Sequence, residues 1–163
     1  MIAAALLAGP ASAGPDERLQ RPGPVFDPAA FFGGRTTGQG SVDIVFRSPE
    51  ALRVQGSGRV EADGSLVLDQ IVHRGSRAPS RRQWRFRKLG PNRFGGTLTD
   101  AAGPVAAEVR GNCLHLRYPM KGGVHAEQFI YLQADGRAAI NRMTIRKLGM
   151  VVARVDETIR KAD

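Results

Sequence analysis

The sequence predicts an all-β protein, a single antiparallel up-and-down β-barrel of about 8–10 strands. Three observations carry this. Apolar residues recur with a period of two, turn-forming pairs separate the runs at short intervals, and 20 glycines accompany only 6% aromatic residues. A long meander must close on itself or stack as a sandwich, because an open sheet leaves long unpaired edges. Closure around an interior cavity is the economical solution.

The strands follow in order. In SVDIVF, Val42, Ile44 and Phe46 alternate with Ser41, Asp43 and Val45. SLVLDQIVH places Leu66, Leu68 and Gln70 on one side, and EQFIYLQ places Phe129 and Tyr131 opposite Gln128, Ile130 and Leu132. Such alternation marks strands with one buried face. Turns are expected at Ala62-Asp63-Gly64, Gly90-Pro91-Asn92, Ala102-Gly103-Pro104, Lys121-Gly122-Gly123 and Ala134-Asp135-Gly136. Asp-Gly and Gly-Gly pairs supply the positive φ that tight hairpins demand. Helical signal is confined to one turn near Pro28–Phe32. The stretches GGRTTGQGS and QGSGRVEADG lack the helix that a phosphate-binding loop caps, and read as turns and bulges between strands.

A chain of 163 residues makes one domain with a real core. Its net charge of +9 attracts anions, whether nucleic acid, acidic head groups or anionic small molecules. The lone Cys113 excludes an internal disulfide framework and a cysteine-based zinc site. His73, His115 and His125 show no metal-ligand spacing, and neither a G-x-S-x-G elbow nor an H-E-x-x-H pair occurs. No metal site, cofactor or covalent chemistry is expected. Asp156 and Glu157 are strand neighbours that face opposite ways, so they cannot form a glycosidase pair.

MIAAALLAGPASAG is an apolar run ending in Ala11-Ser12-Ala13, the small-x-small pattern of a signal-peptidase site. Residues 1–13 are therefore expected to be a signal peptide, truncated at its start because no cationic segment precedes the run. Residues 14–24, rich in proline, glycine and charge, read as a flexible linker, and residues 25–161 as the barrel. The expected location is periplasmic. With no cysteine at the cleavage point, the expected product is soluble or peripheral to the envelope.

HRGSRAPSRRQWRFRKLGPNR carries eight arginines and lysines and no acid. Alternation puts Trp84 and Phe86 on one face, with Arg82 and Lys88 towards its ends, and Arg81, Gln83, Arg85 and Arg87 on the other. Nucleic-acid binding needs cations and aromatic rings on one exposed surface, so nucleic acid is not an expected partner. The arginines read as an outer wall, with Arg81, Arg85 and Arg87 the candidate contacts to acidic envelope lipid.

In its second half the chain resembles a bacterial envelope family known as domain of unknown function 3833, many of whose members are outer-membrane lipoproteins. The residues that carry this are Gly111, Asn112 and Tyr118, then Asn141, Arg142, Lys147 and Gly149, with Phe31-Phe32-Gly33-Gly34 and Gly40 earlier. Their order and spacing match over roughly residues 26–161. The resemblance implies a lipocalin-style barrel and an envelope location, and brings no reaction. The chain departs from the family pattern at Gln128-Phe129-Ile130, where an aspartate-tryptophan-methionine run is usual, and at Leu116 and Gln39, where tryptophan is usual. Loss of those rings reshapes whatever cavity they lined.

The leading functional expectation is a barrel that binds a hydrophobic or amphipathic small molecule, with an acidic head group favoured by the charge. Candidate ligand contacts are Trp84, Phe86, His115, Tyr118, Phe129, Tyr131, Asn141 and Arg142. Asn112 reads as a structural amide beside a turn. One rival is an isomerase- or lyase-type enzyme using His115 or Tyr118 for general acid–base work. The other is an interaction protein that touches acidic lipid through its basic face, a reading that a collapsed interior would favour. Nothing in the sequence sets the oligomeric state.

Overall fold

The computed structural model describes residues 14–162. The expected signal peptide, residues 1–13, lies outside them. Ten strands run in chain order: β1 (Gly34–Ile44), β2 (Glu50–Val60), β3 (Leu66–Arg74), β4 (Ser80–Lys88), β5 (Arg93–Leu98), β6 (Val105–Arg110), β7 (Cys113–Met120), β8 (Val124–Leu132), β9 (Ala138–Lys147) and β10 (Met150–Lys161). Each pairs antiparallel with the next, and β1 pairs with β10 to close the barrel, Gly38 opposite Ile159 and Val42 opposite Val155. The expected turns join β2 to β3, β4 to β5, β5 to β6, β7 to β8 and β8 to β9.

Helix α1 (Pro28–Phe32) precedes β1. Asp27 Oδ1 caps it by accepting from the Ala30 amide at 3.1 Å, and Pro28 sits where no amide is needed. At its other end the Lys161 ammonium donates to the Ala30, Phe31 and Gly33 carbonyls at 2.8–3.0 Å. Phe26, Phe31 and Phe32 pack ring against ring at 5.0–6.1 Å and are buried at the start of β1. The helix plugs this end of the barrel. The end opposite carries the β1–β2, β3–β4, β5–β6, β7–β8 and β9–β10 connections.

Two readings of the sequence need correction. Most of the glycine-rich stretches are not turns: Gly34, Gly38, Gly40, Gly56 and Gly58 lie within β1 and β2, and only the Ala62-Asp63-Gly64 end is a turn. Gly38 faces inward, and a β-carbon there would collide with the Glu157 carboxyl, as one at Gly58 would with the Phe32 carbonyl. Glycine here makes room for what lies inside the strand. Phe46 is not on the buried face of a strand, since β1 stops at Ile44 and Phe46 stands fully in solvent with φ +64°.

The core is the inward row of each strand. Leu52, Val54, Leu66, Leu68, Trp84, Phe86, Leu98, Val105, Leu114, Leu116, Ile130 and Ile159 belong to one contiguous cluster. Burial on this scale is the main favourable term in folding, about 25 cal/mol per Å² of apolar surface removed from water. In β4, Trp84 and Phe86 are buried while Arg81, Gln83 and Arg87 are exposed.

Candidate functional site

The barrel interior is not wholly apolar. On the inward face of four neighbouring strands, Tyr118 (β7), Gln128 (β8), Asn141 (β9) and Glu157 (β10) form one hydrogen-bonded row. The Tyr118 hydroxyl donates to Gln128 Oε1 at 2.9 Å, and Gln128 Nε2 donates to Asn141 Oδ1 at 3.3 Å. Asn141 Nδ2 donates in turn to Glu157 Oε2 at 3.0 Å. All four are buried. Across the lumen, Gln70 Oε1 accepts from Arg82 Nε at 2.7 Å and from the Trp84 indole at 2.9 Å.

The row is built by period two applied to polar residues. Val155, Glu157 and Ile159 share one face of β10, Asn141 lies between Ala139 and Met143 on β9, and Gln128 between Ala126 and Ile130 on β8. Buried amides and hydroxyls must find partners, and here they find one another. Burial pushes the Glu157 carboxyl above its ordinary range, opposed less strongly by the Asn141 hydrogen bond and the Arg82 charge. Burial likewise raises the Tyr118 phenol. Tyr118 therefore stays a neutral donor.

All of these polar groups but Tyr118 border the unfilled part of the lumen. Gln70, Arg82, Trp84, Gln128, Asn141 and Glu157 border it together with aliphatic residues such as Leu116 and Ile130. Its volume is about 40 Å³, room for about one water. Trp84 stacks on Phe86 at 5.6 Å and meets Tyr118 edge-on at 5.4 Å. The Arg82 guanidinium lies 5.7 Å from the Trp84 ring centre. A groove of about 790 Å³ runs across β1–β4 between Arg35 and Arg81, and Gln70 and Arg82 border it as well.

The eight sequence-picked residues divide between two places. Trp84, Phe86, Tyr118 and Asn141 point into the barrel, while His115, Phe129, Tyr131 and Arg142 stand on the outer wall of β7–β9. Residues 14–22 lie across that wall. The Tyr131 hydroxyl accepts from the Asp16 amide at 2.7 Å, and Asn112 Nδ2 donates to the Leu19 and Leu132 carbonyls, each at 3.0 Å. Leu19 packs on Cys113, Phe129 and Tyr131, and Arg142 lies 3.8 Å from Asp16 and 3.4 Å from Asp156. Asn112 joins this strap to both strands, the structural role its position beside a turn suggests.

On this wall the His115 ring stacks on Phe129 at 4.2 Å, and its Nε2 lies 3.6 Å from Glu127. Burial lowers the His115 pKa more strongly than Glu127 raises it. Cys113, its neighbour on the same strand face, is pushed up to about 11 by burial and stays a thiol. Tyr131, also buried, is pushed up to about 12. His115 and Tyr118 occupy opposite faces of β7, so no single substrate reaches both from one side of the wall.

The basic strand is partly neutralised by its own neighbours. Arg85 pairs with Glu61 at 2.7 Å and Arg87 approaches Asp63 at 4.0 Å, whereas Arg81 borders the β1–β4 groove. Sequence reasoning missed Glu157, Gln128, Gln70 and Arg82 as site members. The signal was present: each is a polar residue spaced by two from apolar residues of its own strand.

None of the curated proteins matches the chain. Among solved structures, the S-type phycobiliprotein lyase CPES from Guillardia theta superposes with a TM-score of 0.65 at 9% identity, over 80% of this chain and 88% of that one. A protein of unknown function of the DUF3598 family, from Nostoc punctiforme PCC 73102, gives a TM-score of 0.63 at 14% identity. That match spans 92% of this chain and 53% of the other. At such identities the likeness is one of fold, a closed lipocalin-like barrel. The model of the family described as protein of unknown function (DUF3833) matches residues 4–161. The chain belongs to that family.

Proposed function

We propose that this protein is an exported barrel that binds a small amphipathic molecule in its interior without covalent chemistry. The observation that carries the proposal is the polar row from Tyr118 to Glu157, which converges with Arg82 on the unfilled lumen. A core needs no carboxyl, and burying one is expensive. A ligand with a polar end makes use of it. The Glu157 carboxyl, Gln128 and Asn141 supply polar contact, Arg82 supplies a cation for an acidic head group, and Leu116, Ile130 and Trp84 supply apolar contact. The closed lumen holds about 40 Å³, so a ligand enters it only if the side chains around Gln70 and Arg82 move apart toward the groove of about 790 Å³ that both residues also border. A protein of similar fold is a phycobiliprotein lyase, which supports a small-molecule role for a barrel of this kind. The run to Ala11-Ser12-Ala13 supports export.

The test is native mass spectrometry of protein purified from the periplasm, together with Leu116→Trp, which fills the lumen. A co-purifying small molecule in the parent and none in the folded variant is the expected result. Repeated absence of any adduct from the parent, or equal occupancy in both proteins, would sink the proposal. Mature protein beginning at Gly14 is the matching expectation for export, and a chain retaining residues 1–13 in the cytoplasm would overturn it.

A further inference from the structure

We infer that the end of the barrel opposite α1 is a docking tip for an anionic lipid bilayer, a surface distinct from the arginines of β4 and independent of what the lumen holds. Two connections meet there on adjoining strands. The β1–β2 loop exposes Phe46 fully and Val45 by half, and the β9–β10 turn exposes Leu148 at 93% and Met150 at 70%. The Val45 amide donates to the Val152 carbonyl at 3.1 Å, so the loop and the turn stand side by side.

The backbone at both positions argues against chance. Leu148-Gly149 is a two-residue hairpin turn between paired Lys147 and Met150, with φ of +51° and +78°. Its first position is where asparagine, aspartate or glycine belongs. Phe46 has φ +64° in a turn closed by the Arg47 amide on the Ile44 carbonyl at 3.0 Å, again a place for glycine or asparagine. Each turn thus holds a large apolar residue in a conformation that disfavours it and in water that disfavours it. Strain of this kind persists where function requires it.

The charge around the tip selects the partner. Arg47, Lys147 and Lys121 are exposed and Arg146 half-buried, and among the described residues none of the four enters an ion pair. Of the acids at this end, Glu50 pairs with Arg74 at 2.7 Å, while Asp43 and Asp100 are exposed and are outnumbered by the four cations. The loops of the helix end carry Glu61, Asp63 and Asp135 instead. Apolar side chains ringed by cations match a membrane interface with acidic head groups.

The experiment is co-sedimentation of the full chain with vesicles of equal parts phosphatidylglycerol and phosphatidylcholine, against phosphatidylcholine alone. The parent is compared with Phe46→Asn, Leu148→Asn and the pair Lys121→Ser/Lys147→Ser. Asparagine suits both backbones, so the melting temperature should hold or rise while partitioning weakens about tenfold per substitution. Each lost lysine should cost about fivefold on the anionic vesicles only. All variants keep residues 1–13, so the differences report the tip. Equal binding by parent and asparagine variants overturns the inference, as does equal binding to both vesicle types. It also falls if the parent is a dimer without lipid and the variants are monomers, because the patch would then be an interface between copies.

Discussion

Replacing Asn141 by leucine, which is close to it in size, tests the polar row at its centre. Asn141 accepts from Gln128 at 3.3 Å and donates to Glu157 at 3.0 Å, so the substitution strands two buried groups at once. An orphaned buried polar group costs about 1–3 kcal/mol, which makes the expected loss about 2–6 kcal/mol. That is a large share of the roughly 5–15 kcal/mol that holds a typical domain together. The loss should also depend on pH. The folded pKa of Glu157 lies above its unfolded value, so the folded state binds more protons in the window between the two. Stability is full below the unfolded pKa and falls as pH rises through the folded one. The Asn141 hydrogen bond lowers that folded pKa, so without it the window extends further upward and the variant weakens more in mild alkali than in mild acid. Urea titration followed by fluorescence of Trp84, the chain's single tryptophan, measures both effects. Adding Glu157→Leu should recover part of the loss, because replacing both partners by apolar groups removes the orphaned carboxyl. A loss under about 0.5 kcal/mol, within the range of ordinary surface substitutions, would refute the reasoning. So would a double variant no more stable than the single one.

Three further outcomes follow from the same geometry. Glu157→Gln removes the titrating group, so the variant should gain on the parent as pH rises from mild acid to neutral, read as melting temperature against pH. Gly38→Ala drives a β-carbon into the Glu157 carboxyl and should destabilise by about 1–3 kcal/mol; in a Glu157→Ala background most of that cost should vanish. Leu19→Ala loosens the strap over Cys113, so thiol labelling should accelerate about tenfold, the factor that about 1.4 kcal/mol of lost contact represents. Unchanged labelling would show that the strap does not shield the thiol.

The fold was legible wherever one strand face meets water. Period two in β4 separates Trp84 and Phe86 from Arg81, Arg85 and Arg87, and the structure places them so, with Arg82 on the aromatic face. The pattern fails in β8, where both faces are covered: Gln128, Ile130 and Leu132 by the lumen, Phe129 and Tyr131 by residues 14–22. A run buried on both sides carries no sign of which side is the interior, so aromatic residues there say nothing about the lumen. In β1 and β2, glycine is the residue that lets Glu157 and the Phe32 carbonyl approach, contacts between segments about 120 and about 25 residues apart in sequence. Local turn chemistry cannot distinguish that use of glycine from a bend. The Asp156-Glu157 pair shows the partial case. Its alternation puts the two on opposite faces, but the chemistry of Glu157 depends on Asn141, which only the register of β9 with β10 supplies.

Pairing of β1 with β10 also has a kinetic consequence. Every other strand contact joins neighbours in the chain and can form over a short loop, whereas Gly38 must find Ile159. Until it does, nine hairpins leave a sheet with two open edges that invite pairing with other chains. Closing that seam is the least local contact in the molecule, and such contacts set the pace of folding. A chain stalled before Met150–Lys161 joins should therefore aggregate through β1 and β9 rather than populate a smaller barrel.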